Sequence, residues 1–242
     1  MENSNGELAK FCINRIGVPY VMGTQGKILT KALYQNLVKW NPAKWFTLAR
    51  RLKVKKWIGQ EVTDCHGLIE WFVREQSGAA YDTTADGAFL AAQEKGEIGS
   101  IPEQPGICVR YKGHVGIYIG GGYVVEARGF DYGVCITQFS VRPWTHWYRH
   151  PRIKYVNEVL PALEPMQING TTDRYSVVWL QLALNRQIKV GYIQEKSLDV
   201  DGVYGAKTAR AVAAYWRKRG WGNQKSEIWS VGKGTVKALQ KA

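Results

Sequence analysis

The run Gly113-His114-Val115-Gly116-Ile117-Tyr118-Ile119, then Gly120-Gly121-Gly122, then Tyr123-Val124-Val125-Glu126-Ala127 restricts the fold of this chain more than any other stretch. Val115, Ile117 and Ile119 alternate with His114, Gly116 and Tyr118, the period of a half-buried strand. The glycine triplet turns the chain into a second strand. A three-residue turn pairs Ile119 with Tyr123, Ile117 with Val125 and Val115 with Ala127, which gathers one continuous apolar face. His114 and Glu126 then share the opposite face, with Glu126 across from Gly116 and diagonal to His114, close enough to accept an imidazole hydrogen bond.

A second stretch supplies a partner for that histidine. In Thr63-Asp64-Cys65-His66-Gly67-Leu68-Ile69, Asp64 is a good helix N-cap, and Leu68, Ile69, Phe72 and Val73 recur at helical spacing. The pattern predicts Cys65 in the first turn of a helix. There, unpaired N–H groups and the helix dipole favour thiolate and lower a cysteine pKa from its free value of about 8.5. Cysteine, histidine and an orienting polar group make up the general arrangement for nucleophilic acyl transfer.

Together with Pro19-Tyr20-Val21-Met22-Gly23, these two stretches resemble the three ordered motifs of NlpC-type cell-wall cysteine peptidases. The resemblance implies a papain-like α+β domain that cleaves peptidoglycan stem peptides, commonly between γ-D-glutamyl and a diamino acid. It makes Cys65 the nucleophile, His114 the base and Glu126 the third polar residue. Tyr20 becomes a group beside the nucleophile that places substrate or oxyanion. His66 stands where the family often has serine, and Glu126 where it often has histidine. Asp64 is a helix cap that can also bind a free stem-peptide amine, and His66 is a cleft-lining residue and rival base.

Between the first two motifs, residues 24 to 60 hold nine lysines and arginines and no acidic residue, interleaved with Tyr34, Trp40, Trp45, Phe46 and Trp57. Periodicity predicts two helices broken at Asn41-Pro42. They wall the active cleft with a solvated basic side; nucleic-acid binding through phosphates and stacking, or attraction to anionic wall polymers, are the other readings. Around the motifs, Asn3 or Ser4 caps a helix carrying Leu8, Phe11, Cys12 and Ile16; Thr83 or Thr84 caps another that Gly96 closes, with Asp86 in its first turn; Ile107–Tyr111 and Val134–Thr137 are strands. His146 and His150 are surface or packing residues at the domain's end.

Residues 157–172, with Pro161, Pro165 and Asn169-Gly170, lack periodicity and read as a linker between a domain at 1–156 and one at 173–242. The second domain shows three helical patterns, around Val177–Leu184, Thr208–Lys218 and Thr235–Gln240. An internal repeat relates Gly205–Val212 to Gly232–Leu239. With Val177–Gln181 and Leu198–Gly205, this segment resembles the small all-α three-helix peptidoglycan-binding domain of many wall hydrolases. Asp199-Val200-Asp201-Gly202 lacks the further ligands of a calcium loop and reads as a turn.

The formal charge of +13 draws the protein to polyanions without choosing among them. Cys12, Cys65, Cys108 and Cys135 are scattered, with no Cys-x-x-Cys pair, so no metal site and no cofactor is expected; Cys12, Cys108 and Cys135 read as core. The start Met1–Leu8 lacks the basic and apolar regions of a secretory signal, and no run is long enough to span a bilayer. The expectation is a monomer made in the cytoplasm and acting on the bacterial wall after holin-type release or another export route, which suits a phage endolysin. Peptidoglycan is the expected partner, with no nucleic acid and no membrane insertion. The alternatives are an N-acetylmuramoyl-L-alanine amidase and a non-catalytic wall-binding protein.

Overall fold

A computed structural model of the chain describes residues 3–41, 43, 46–78, 81–157, 167–221 and 226–241. Pro42, Lys44, Trp45 and most of the predicted linker, 158–166, lie outside the described residues. The chain divides into two compact units, Met1–Glu158 and Val159–Ala242.

The first unit is α+β. Ser4 caps α1 (Asn5–Asn14), its hydroxyl accepting the Glu7 N–H, and the helix buries Leu8, Phe11 and Cys12 as its period predicts. A two-stranded ribbon, β1 (Gln25–Ile28) with β2 (Glu61–Thr63), brackets the helices α2 (Lys31–Trp40) and α3 (Leu48–Lys55). The chain then turns into α4 (Gly67–Ser77), closed by Gly78 in the left-handed conformation. Thr84 caps α5 (Ala85–Ala91). Strands β3 (Lys95–Glu97), β4 (Cys108–Tyr111), β5 (His114–Gly120), β6 (Tyr123–Ala127), β7 (Val134–Gln138) and β8 (His146–Tyr148) form one antiparallel sheet in the order β3-β8-β4-β5-β6-β7.

Three expectations change. Helix α5 stops at Ala91, well before Gly96, because residues 95–97 leave the helix to pair with β8. Strand β8 was not foreseen: it is three residues long, and its pairing to β3 and β4 spans distant sequence. In the central hairpin Ile117 pairs with Val125 as expected, but Gly120 rather than Ile119 faces Tyr123, so a bulge falls at Ile119 and the turn tightens around Gly121 and Gly122. Both of these glycines have positive φ, which the tighter turn requires.

Strand β5 is also buried along its whole length rather than on one face. On one side α1 packs against β5 and β6. On the other, Ile107, Val109, Tyr118, Val124, Trp144 and Trp147 form a compact apolar cluster. Gly116 permits this second layer. A Cβ there would come within 2.6 Å of Val124 and 3.0 Å of the Trp144 ring.

The second unit holds α6 (Arg174–Lys189), α7 (Ala206–Lys218) and α8 (Lys233–Gln240), with a short ribbon of β9 (Ile168–Asn169) and β10 (Ser230–Val231). Ile168, within the stretch read as linker, is buried and pairs in this ribbon. The internal repeat has a structural counterpart: Gly205 and Gly232 precede α7 and α8 in nearly the same extended backbone, and Thr208 and Thr235 are both buried. The Asp199–Gly202 turn is held by Gln181, whose amide donates to Asp201 and whose oxygen accepts from the N–H groups of Asp201 and Gly202.

Candidate active site

The segment carrying Tyr20 is laced onto the cysteine turn by backbone bonds. Val21 N–H donates to Thr63 O at 3.0 Å, Thr63 N–H to Pro19 O at 3.2 Å and Asp64 N–H to Thr24 O at 2.9 Å. Asp64 completes the lacing with its side chain, accepting the N–H of Gly23 at 2.8 Å on one oxygen and of Gly67 at 2.7 Å on the other. Both carboxylate oxygens therefore serve structure. Gly67 is glycine because the Thr24 carbonyl passes within 2.0 Å of where its Cβ would stand. The expected N-cap shifts: the regular α-helix begins at Gly67 with His66 at its N-cap position, so Asp64 bonds the Gly67 N–H from two residues further back and Cys65 occupies the turn ahead of the helix, not its first turn.

Cys65 is 9% exposed. Backbone N–H groups of Val115, His66 and Cys65 itself point at its sulfur and favour thiolate, but burial and then the Asp64 charge outweigh them, and the thiol is pushed up to about 12. The expectation of a lowered pKa is thus corrected: desolvation exceeds the field at the helix start. At rest Cys65 is a protonated thiol.

His114 stands next to Val115, which supplies one of those N–H groups. The imidazole packs against two aromatic rings, Tyr111 at 5.0 Å between centroids and Trp144 at 5.8 Å, which are themselves 5.6 Å apart. Its Nε2 lies 2.7 Å from Glu126 Oε2, which leaves Nδ1 for other work. Glu126 is 0% exposed. Beyond His114 it accepts the Thr137 hydroxyl at 2.8 Å, and Arg142 meets it twice, with Nη2 at 3.0 Å from Oε2 and Nε at 2.9 Å from Oε1. Burial alone would raise the Glu126 pKa, yet its bonds from His114, Thr137 and Arg142 together lower it, so the carboxylate is ionised.

Tyr20, also buried, packs edge-on against Phe130 at 5.2 Å, and Phe130 in turn meets Phe46 at 5.9 Å. Burial first, then the charges of Cys65 and Asp64, raise the Tyr20 hydroxyl's pKa. That hydroxyl is a neutral donor close to the sulfur. His66 goes elsewhere. It is buried, with Nδ1 3.0 Å from Glu70 Oε1 and Nε2 3.3 Å from His150 Nε2, so the ring packs in the interior rather than lining the cleft. His146 sits in β8, and Asp86 accepts the Gly113 N–H at 3.1 Å, a structural bond at the turn before His114.

Tyr111, Thr137, Arg142 and Trp144 were missed from sequence. Thr137 is a diagonal neighbour of Glu126 across the β6–β7 ladder and could have been found by extending the register. Among the described residues no group of His, Cys, Asp and Glu could hold a metal ion.

The site thus belongs to an α+β domain that holds a buried thiol at Cys65 and an imidazole at His114 bonded to the buried carboxylate of Glu126. No family model and no curated protein matches the chain. Among solved structures it is similar to NlpC2 and NlpC1 from Trichomonas vaginalis, at 20% and 19% identity and TM-scores of 0.41 and 0.39. These alignments cover 61% and 60% of this chain but 46% and 45% of those, so the chain spans less than half the length of the Trichomonas proteins. The P60 domain of the M. avium subspecies paratuberculosis antigen MAP1204 aligns at 20% identity and a TM-score of 0.40, over 62% of this chain and 98% of that one. At these scores the functional reading rests on the site's own geometry.

Proposed function

We propose that the protein is a peptidoglycan hydrolase that cleaves stem peptides as a γ-D-glutamyl–diamino acid endopeptidase, with Cys65 as nucleophile, His114 as base and Glu126 as its orienting partner. The observation that supports this reading is a buried thiol that accepts the Val115 N–H, one residue from an imidazole held by Glu126 at 2.7 Å and packed against Tyr111 and Trp144.

In this mechanism Nδ1 of His114 takes the Cys65 proton as the sulfur attacks the amide carbonyl. The backbone N–H groups around the sulfur stabilise the oxyanion. Collapse of the tetrahedral intermediate expels the amine, which leaves with the proton from His114. Water, deprotonated by the same imidazole, then hydrolyses the thioester. Arg142 balances the Glu126 charge, so Glu126 orients the ring while the base remains free to accept a proton. Tyr20 places the substrate carbonyl, and Asp64 keeps the turn in register.

The second unit serves as a wall-binding module behind a linker at 157–172, raising local concentration at an insoluble substrate. A phage or prophage endolysin that reaches the wall after release, acts as a monomer and uses neither cofactor nor nucleic acid is the biological setting that fits. The test is mass spectrometry of muropeptides after digestion. New fragments ending in D-glutamate support the endopeptidase, free stem peptides beginning with L-alanine assign an amidase instead, and unchanged muropeptides leave only wall binding.

A further inference from the structure

The outer surface between residues 24 and 60 has no role in the chemistry above. Helix α2 buries Leu37 alone and α3 buries Val54 alone. Trp40 is 70% exposed, Leu48 72% and Leu52 56%. Among the described residues of the first unit, four of the seven exposed large hydrophobics, Ile28, Trp40, Leu48 and Leu52, fall in this segment, so the exposure is concentrated rather than scattered. On α3, Leu48, Leu52 and Lys55 are spaced i, i+4 and i+7 and so share one face. The same two helices and the residue after α3 carry Lys39, Lys53, Lys55 and Lys56, and residues 24–60 contain no acidic side chain.

The helices are anchored from within. Phe46 is buried against Phe130, and the Tyr34 hydroxyl donates to the Arg51 carbonyl at 3.3 Å. Lys53 pairs with Asp131 at 2.7 Å, which brings the neighbouring Tyr132, also exposed and with Arg128 over its ring, to the side of α3. The outward leucines are therefore not core residues awaiting a partner within this unit.

We propose that α2 and α3 form an interfacial docking surface for a bilayer rich in anionic phospholipid, on which the protein lies without spanning it. The cationic side chains complement lipid phosphates, and Leu48, Leu52 and Trp40 supply the apolar face that enters the headgroup boundary. A phosphate-bearing polymer would engage the lysines and leave the leucines in water. A nucleic acid could stack a base on exposed Trp40 but would leave the aliphatic Leu48 and Leu52 in water. Among the described residues no helix is long and apolar enough to cross a membrane. The surface operates independently of Cys65, so it stands or falls apart from the hydrolase reading.

The test is co-sedimentation of the full chain with vesicles of phosphatidylglycerol and phosphatidylcholine, against vesicles of phosphatidylcholine alone. Binding to the anionic vesicles only, weakening as salt shortens the Debye length from about 30 Å at 0.01 M to about 8 Å at 0.15 M, is expected. Leu48→Ser with Leu52→Ser, at exposed positions that leave the thermal melt unchanged, lowers partitioning roughly tenfold or more. Lys55→Glu with Lys56→Glu lowers it as well. Failure of the native protein to bind anionic vesicles overturns the proposal. So does a leucine variant that binds them as tightly as the native protein, or native retention on teichoic acid or duplex DNA that exceeds vesicle binding and ignores the leucines.

Discussion

Arg142→Met removes a charge that sequence alone did not connect to the site. The guanidinium is mostly buried and lies 2.9 Å and 3.0 Å from the two oxygens of Glu126, which is itself fully buried. Removing one member of a buried, hydrogen-bonded pair leaves the other uncompensated, at a cost of about 3–5 kcal/mol. Glu126 keeps His114 and Thr137, so the lower part of that range is expected. Glu126→Gln strands Arg142 in the same way. The double variant carries neither charge, so its loss falls short of the sum of the single losses by about 2 kcal/mol or more. The pH dependence has a definite sign. A carboxylate whose folded pKa is depressed contributes stability above its unfolded pKa and loses it as pH falls through the folded value. Without Arg142 burial pulls the Glu126 pKa up, so the acid loss of stability moves to higher pH. Denaturant-dependent hydrogen exchange at β5 and β6 amides reports the first unit without interference from the second. A single-variant cost below about 1 kcal/mol, or single losses that add within about 0.5 kcal/mol, would refute the paired-charge account.

Three further consequences follow from the same geometry. Burial, with the charges of His66 and Arg152, pushes His150 down to about 3; such a histidine contributes full stability above its unfolded pKa near 6.5 and loses it as pH falls toward 3, at up to about 1.4 kcal/mol per unit. His150→Gln flattens that slope, and an equally steep slope in the variant would assign it to other groups. With its thiol pushed up to about 12, Cys65 reacts with iodoacetamide at neutral pH far more slowly than free cysteine and accelerates as pH rises, as site-resolved mass spectrometry would show; fast, pH-independent labelling below pH 7 contradicts the burial argument. Gly116→Ala drives a methyl group into Val124 and Trp144, costing about 1–3 kcal/mol by thermal melting and lowering kcat through displacement of the ring stacked on His114; an unchanged melt and kcat would remove Trp144 from the positioning role.

What the sequence revealed was local. The cap at Ser4, the helices α6, α7 and α8 and the Ile117–Val125 register all follow from patterns within about twenty residues. The bond from His114 to Glu126 was legible for the same reason, since both lie in one hairpin. Arg142 was not, because it reaches Glu126 from beyond β7 with no periodic signal to place it. His66 was misread because its partner His150 is 84 residues away. The Cys65 pKa was misjudged because a helix start can be read from residues, whereas burial of the sulfur depends on tertiary packing. Strand β8 stayed hidden because three residues carry too short an alternation to distinguish from loop.

The most direct test of the central claim compares native protein with Cys65→Ala and His114→Ala, each matched to the native fold by circular dichroism, on purified peptidoglycan with soluble fragments quantified by mass spectrometry. The account predicts fragment release by the native protein and none above background for either variant. Release by Cys65→Ala at the native rate would show that the thiol is not the nucleophile and that the hydrolysis, if any, is carried out elsewhere in the chain.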